Sequence, residues 1–391
     1  MNKQQYITTT IVGLAIYLIA TGISFAGFSY FSKKSSGNAP VVTTNGSQSH
    51  FVIDPSVPRT EVCPINGKLY TKQEKQVWET RPPLAVMIEN HEESRPQSGL
   101  SSADVVYETV AEGGITRFMG IFYCGIAAAP VNLAPVRSAR TYFLPWVLEY
   151  NAVYNHVGGA GRCEDPTVDE RAKALCQIEQ YKIRDMDQFG ISFPTCYRNY
   201  DRLDRPVATE HTMVCVTDKL LKIAAQRGWT NVDAKGVEWD KDFQPWKFKD
   251  DAKESERGVG TSISFVSWKG YESTYGVKWD YDKLANVYKR SNGGVAHIDL
   301  ETKQQLAAKV VVVMFAKETG PVDEHAHLLY NNIGSGDGIL FQDGKTTKIT
   351  WKKETKSSRM KFFDSSSNKE VSLVKGQIWV EMLPIGTPVT Y

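Results

Sequence analysis

Glutamates, histidines, arginines and paired glycines recur at the ends of short apolar runs in the first half of this chain. Glu89-Asn90-His91 follows the run at 84–88, and Glu112-Gly113-Gly114 follows the one at 105–111. Thr116-Arg117 opens the next run, Arg137-Ser138-Ala139-Arg140 precedes a helical pattern, and His156-Val157-Gly158-Gly159 closes another run. Arginine forks match phosphate and carboxylate, and glycines let backbone N–H groups approach an anion closely. Histidine titrates near neutrality, and burial can raise a glutamate into the same range. The residue types therefore divide the work. Arg95, Arg117, Arg137, Ser138 and Arg140 are candidates to hold an anionic ligand, and Glu112, His91 and His156 are candidate acids or bases. The same residues also suit a purely structural network, because buried arginines and glutamates often tie loops to strands.

The elements that must position these residues read as follows. Residues 84–88, 105–110, 118–124 and 152–157 are short β-rich runs. Residues 141–150 and 217–227 have helical spacing, with Pro145 near the start of the first, Thr217 as a cap of the second and Gly228 as its stop. Such alternation predicts an α/β (or α+β) domain over 61–230, with the ligand crevice at strand ends. The cysteine-bearing segment 161–203 reads as an insertion over that layer. From 231 to 391 the strand-like runs at 262–267, 273–279, 287–290, 310–315 and 378–382, with turn signals at Ser291-Asn292-Gly293 and Asp343-Gly344, predict a β-rich domain. Residues 334–338 (GSGDG) read as a turn, and His325-Ala326-His327 as a solvated loop.

Composition limits the partners. A net charge of +2 with no dense basic stripe argues against nucleic acid. There is no phosphate-binding loop, no C-x-x-C pair and no nucleophile elbow, so neither a metal nor a cofactor is expected. Residues 7–31 form an uncharged apolar stretch of 25 residues, long enough to span a hydrocarbon core of ~30 Å. Residues 1–34 therefore read as a signal anchor or transmembrane segment, with cleavage after Ala26 as the competing reading. Residues 35–60 read as a flexible tether. Six cysteines behind an export signal suit disulfides, in a pairing the sequence leaves open; buried thiols at Cys124 and Cys215 are the alternative. The bulk of the chain is expected outside the membrane that anchors it.

The stretch from Arg95 to Arg162 (RPQSGLSSADVVYETVAEGGITRFMGIFYC, then PVRSARTYFLPWVLEYNAVYNHVGGAGR) resembles the YerB-like lipoproteins, a bacterial family built on a domain of unknown function with a separate C-terminal module. The resemblance runs from about Cys63 to Pro384. It implies a similar division of the chain near residue 231 and adds His211, in the step Glu210-His211, to the ligand-binding candidates. The family's lipidated cysteine is missing, since no cysteine precedes Cys63. A looser likeness, through Asp104, Arg117, Arg137 and Arg140, is to the LytR-CpsA-Psr phosphotransferases, although their Arg-Asp-Thr step is absent. The resulting expectation is an envelope protein that binds an anionic cell-wall or polyprenyl-linked ligand. The alternative is an envelope phosphotransferase or hydrolase acting on a pyrophosphate- or glycan-linked substrate.

Overall fold

The computed structural model describes residues 53–391, apart from 55, 234 and 261. The apolar N-terminal stretch and most of the tether lie outside them. Among the described residues no helix is long and apolar enough to cross a membrane.

The fold is mostly β, with few and short helices. Its spine is a mixed sheet of 11 strands. The strands that matter below are β1 (Leu84–Glu89), β2 (Val105–Val110), β3 (Thr116–Phe122), β4 (Val153–His156), β5 (Arg184–Asp187), β6 (Val277–Asp282), β7 (Val287–Asn292), β8 (Val310–Thr319), β9 (Gly334–Gln342), β10 (Lys345–Lys353), β11 (Lys361–Asp364) and β12 (Ile378–Pro384). In the spine the order is β11-β10-β9-β8-β12-β2-β3-β1-β4-β5, and the eleventh strand, Leu329–Asn331, pairs with the end of β8 off this path. The last strand of the chain, β12, pairs in parallel with β8 on one side and with β2 on the other, setting Glu381 beside Glu108. Strands from 61–230 and from 231–391 thus share one sheet, and the described residues belong to one compact unit.

Alternation along each strand explains why these strands read as unbroken apolar runs. Ala85, Met87, Tyr107, Met119, Ile121, Val310 and Val312 enter one core. Val86, Ile88, Val106, Phe118, Val311 and Val313 enter another on the opposite face. The first face is covered by α1 (Leu144–Glu149), through Trp146 and Val147. Pro145 sits in its first turn, as the spacing predicts. The second face is covered by Leu220 and Ala224 of α2 (Thr217–Gln226), and by Val277, Trp279 and Tyr288 of β6 and β7. Strands rather than helices cover much of that face, so the expected α/β layer resolves into a largely β architecture.

Several local expectations change. Val216 holds the N-cap position of α2 without a side-chain capping bond, and Thr217 is the first helical residue, its hydroxyl accepting the Val131 N–H. Residues 273–279 split into a single helical turn, Glu272–Tyr275, and the start of β6. The GSGDG run is the first half of β9 rather than a turn. A Cβ at Gly336 would lie 2.7 Å from the Trp351 indole, so that strand position needs glycine. Part of the expected insertion becomes β5, which extends the sheet beside β4. Asp343 and Gly344 make the expected turn between β9 and β10, both with positive φ. The six cysteines form three disulfides, Cys63–Cys124, Cys163–Cys176 and Cys196–Cys215, and none is free.

Candidate functional site

The hairpin between β2 and β3 turns at Gly113 and Gly114, with φ of +61° and +76°, values that favour glycine over any residue with a Cβ. The turn leaves Glu112 projecting beside Arg117, the second residue of β3. Across from them a segment bearing Arg137, Ser138 and Arg140 runs along the end of β4, bridging at Ala139 to Gly159. A Cβ on Gly159 would come within 3.1 Å of the Ala139 Cβ, so glycine permits that approach. These residues line an open cavity of about 490 Å³. Asp165 and Val168 of the disulfide-bearing loop and His325 and His327 of the C-terminal half complete its walls.

Charges in the cavity are unevenly paired. The Glu112 carboxylate takes both arginines that frame it. Arg140 donates to it through Nε and, at 2.8 Å, through Nη2, while Arg117 Nη2 donates at 3.2 Å. The remaining ends of these guanidiniums donate to backbone carbonyls, Arg117 to Ser138 at 3.1 Å and Arg140 to Ala139 at 2.7 Å. Burial would raise the Glu112 pKa, but the two guanidiniums outweigh it and hold the group below the ordinary carboxylate range. Burial and the like charge of Arg140 push Arg117 down to about 10, which leaves it charged at neutral pH. Arg137 is held more loosely. Its Nε lies 3.0 Å from Glu89 Oε1, within ion-pair distance but without hydrogen-bond geometry, and its side chain is 26% exposed. Glu89 also accepts from His211 Nδ1, at 2.8 Å. Asp165 at the rim takes up the Thr167 N–H and hydroxyl.

Of the residues singled out by sequence, Glu112, Arg117, Arg137, Ser138 and Arg140 therefore come together. Arg95 does not join them: its guanidinium donates to Asn90 and to the Thr274 carbonyl and packs over the Tyr275 ring. His156 is buried, with Nδ1 against the Gly158 carbonyl at 2.7 Å and Nε2 against Asp185 at 2.9 Å, so no nitrogen is left for a substrate. His91 stacks on His211, and neither lines the cavity; His211 reaches it only through Glu89 and Arg137. Glu112, ionised and doubly paired, is an anchor for arginines rather than a proton carrier. Asp104 is fully buried and accepts the backbone N–H groups of Tyr123, Cys124 and Gly125, away from the arginines.

Sequence spacing missed the far wall. His325 and His327 are more than 150 positions from the arginines. Asp323 orients His327, accepting from its Nδ1 at 2.8 Å, and also accepts the Asp169 N–H at 3.1 Å, joining the two loops.

Two other cavities hold less chemistry. One of about 330 Å³ lies against Glu149 and Arg359, where the charges of Lys353 and Arg359 are spent on Glu149. One of about 610 Å³ is lined by Phe315, Trp351 and Ile385 together with polar residues that include Lys317, Asn331, Ser335, Asp337 and Thr387.

Residues 69–230 match the family described as "Protein of unknown function (DUF3048) N-terminal domain", and residues 266–380 match its C-terminal domain. A Bacillus subtilis protein with the provisional name lipoprotein YerB is 28% identical over 331 residues, covering 84% of this chain and 88% of that one. The crystal structure of YerB from Bacillus subtilis superposes with a TM-score of 0.66 at 26% identity, covering 85% of this chain and 100% of that one.

Proposed function

The chain belongs to the YerB-like (DUF3048) family, and we propose that it is an exported, membrane-tethered envelope protein that binds an anionic ligand in the Glu112–Arg117–Arg137–Arg140 cavity. The observation that carries this reading is Arg137. Arg117 and Arg140 are locked to Glu112, whereas Arg137 shares Glu89 with His211 and presents a partly exposed guanidinium to the cavity. An arginine in that state gains by meeting a phosphate or carboxylate, which supplies the hydrogen bonds it lacks. The lipoprotein name of the Bacillus relative and the apolar stretch at 7–31 support a membrane-bound, extracytoplasmic location, with a protein anchor in place of a lipidated cysteine. The three disulfides suit the same compartment.

The binding test is a titration of the full-length chain in detergent with inorganic pyrophosphate, farnesyl pyrophosphate and citrate. The expected result is saturable binding that weakens with salt and falls at least tenfold in Arg137→Ala. Equal binding by parent and variant, or no binding of any of the three, overturns the proposal. For location, a reporter that works only outside the cytoplasm, fused after Tyr391, is expected to be active; a silent reporter contradicts export.

A second reading, hydrolase or phosphotransferase, draws on one feature: the Asp323–His327 pair, oriented as in an acid–base dyad, stands in the same cavity as the arginines. Turnover of a pyrophosphate ester that disappears in His327→Gln while binding persists would favour it over simple binding. Binding without turnover removes it.

A further inference from the structure

Beside the arginine cavity lies a second cluster, which shares with the ligand reading only His211 and its partner Glu89. His91 ends the loop after β1, Glu93 follows two residues later, and His211 arrives from a segment more than 100 positions downstream. One ligand atom from each of the three lies within 4.8 Å of the other two. The imidazoles of His91 and His211 stack with ring centroids 4.7 Å apart and planes 17° from parallel. His211 is buried, and Glu89 accepts from its Nδ1 at 2.8 Å. That hydrogen bond fixes the proton on Nδ1 and leaves the Nε2 lone pair facing Glu93, whose Oε2 is 3.5 Å away. A carboxylate behind the distal nitrogen of a histidine is the arrangement by which proteins orient metal-binding imidazoles.

We propose that His91, Glu93 and His211 form a binding site for a divalent transition metal, zinc foremost, with Glu89 as the positioning carboxylate. Two imidazoles and a carboxylate are the donor set zinc accepts when it keeps a fourth position for water or a ligand. Bringing the donors to Zn–N distances of about 2.0–2.1 Å requires the three atoms to close up. The two less constrained ligands permit this. Glu93 has a side chain 58% exposed, and His91 is half-buried, its Nδ1 held by a single long bond of 3.2 Å from the Glu93 N–H. The loop itself is braced. Arg202 donates to the Ser94 and Pro96 carbonyls at 2.6 Å each, and Arg205 donates to the Glu93 carbonyl at 3.0 Å, so closure needs side-chain turns rather than a new backbone path. No thiolate competes, since all six cysteines are in disulfides. Glu89 also faces Arg137, which puts the metal site one carboxylate away from the anion cavity.

The test is zinc binding by the full-length, tag-free chain after chelator stripping, read by competition with a chromogenic chelator. One equivalent of zinc is expected, and cobalt substituted for it should give visible d–d absorption typical of nitrogen and oxygen ligands. His91→Ala and Glu93→Gln, which change partly exposed side chains, should each weaken zinc at least tenfold without changing the thermal unfolding of the stripped protein. Glu89→Gln should weaken it by about 10–100-fold at unchanged stoichiometry. His211→Ala removes a buried ring and can fail to fold, so the decision rests on the other variants. Absence of a zinc equivalent in the parent, or parent-like affinity in both His91→Ala and Glu93→Gln, overturns the site.

Discussion

Two arginine networks sit on opposite faces of the same sheet. On the face shared with Phe118 and Trp379, Arg290 of β7 is sealed, its side chain 0% exposed. Its Nη2 donates to both oxygens of Glu108, at 3.0 and 2.7 Å, and its Nη1 donates to His297 Nδ1 at 2.5 Å. The rings of Phe118, Trp279 and Trp379 surround the guanidinium. Glu381 lies beside Glu108 across the β12–β2 pairing, and Trp279 and Trp379 donate to Glu381 and Glu108 at 3.1 and 3.3 Å. On the other face Arg117, in phase with Met119 and Ile121, belongs to a group that opens onto a cavity and includes the 26% exposed Arg137. The sealed group joins strands from both halves of the chain and has no room for a ligand. The open group spends one glutamate on two arginines and leaves a third loosely held. Arginine content alone therefore does not mark a binding site. What sets the two groups apart is the state of pairing and the exposure of the last guanidinium.

The comparison breaks most visibly at Arg290. Arg290→Met should cost about 3–5 kcal/mol, because it leaves Glu108 buried without its cation. Urea unfolding of the full-length chain measures this, and a loss below about 1 kcal/mol would show that the sealed group does not hold the two halves together. Acid sensitivity gives a second contrast. Burial, with the charges of Arg290 and Arg95, holds His297 well below the ordinary histidine pKa. Its stabilising contribution is present above the unfolded value near 6.5 and is lost as pH falls below it, because the unfolded chain takes up a proton that the folded chain refuses. The slope should approach about 1.4 kcal/mol per pH unit below 6.5 and flatten in His297→Gln. Glu112 has the same sign in a lower window: its contribution is present above the usual glutamate range and lost as pH falls through its depressed value.

Glu381 carries the opposite sign. Burial and the charge of Glu108 hold it well above the usual range, so its contribution is present at acid pH and lost as pH rises through the folded value. Glu381→Gln keeps the shape and a donor, and should remove that loss, gaining stability over the parent progressively as pH rises from the unfolded glutamate value of about 4.3. The smallest effect is expected at the open group: Arg137→Ala should change folding stability by less than about 1 kcal/mol, as befits a partly exposed pair.

These contrasts also explain what could be read from sequence. β2 was legible to the residue, and the turn at Asp343-Gly344 was too, because both are written in local patterns. The arginines of the open cavity were legible because they lie at strand ends within 24 positions of one another, Arg117 to Arg140. Arg95 and His156 carry the same residue types, but their partners, Thr274 and Asp185, come from segments whose approach only the tertiary fold decides. The strand at 334–338 was hidden because Gly336 answers to Trp351, and Gly338 to Val313 and Ile349, on the neighbouring strands rather than to a turn. The cavity wall at His325 and His327 was hidden for the same reason as the His91–His211 stack: each joins residues more than 100 positions apart.

The central claim, that the open group binds an anion and the sealed group only holds the fold, is tested most directly by one paired titration. Pyrophosphate is added to the parent, to Arg137→Ala and to Glu381→Gln, each confirmed as folded by its thermal transition. The account predicts an affinity at least tenfold weaker in Arg137→Ala and unchanged in Glu381→Gln. Unchanged affinity in Arg137→Ala would contradict it, leaving both arginine groups as parts of the scaffold.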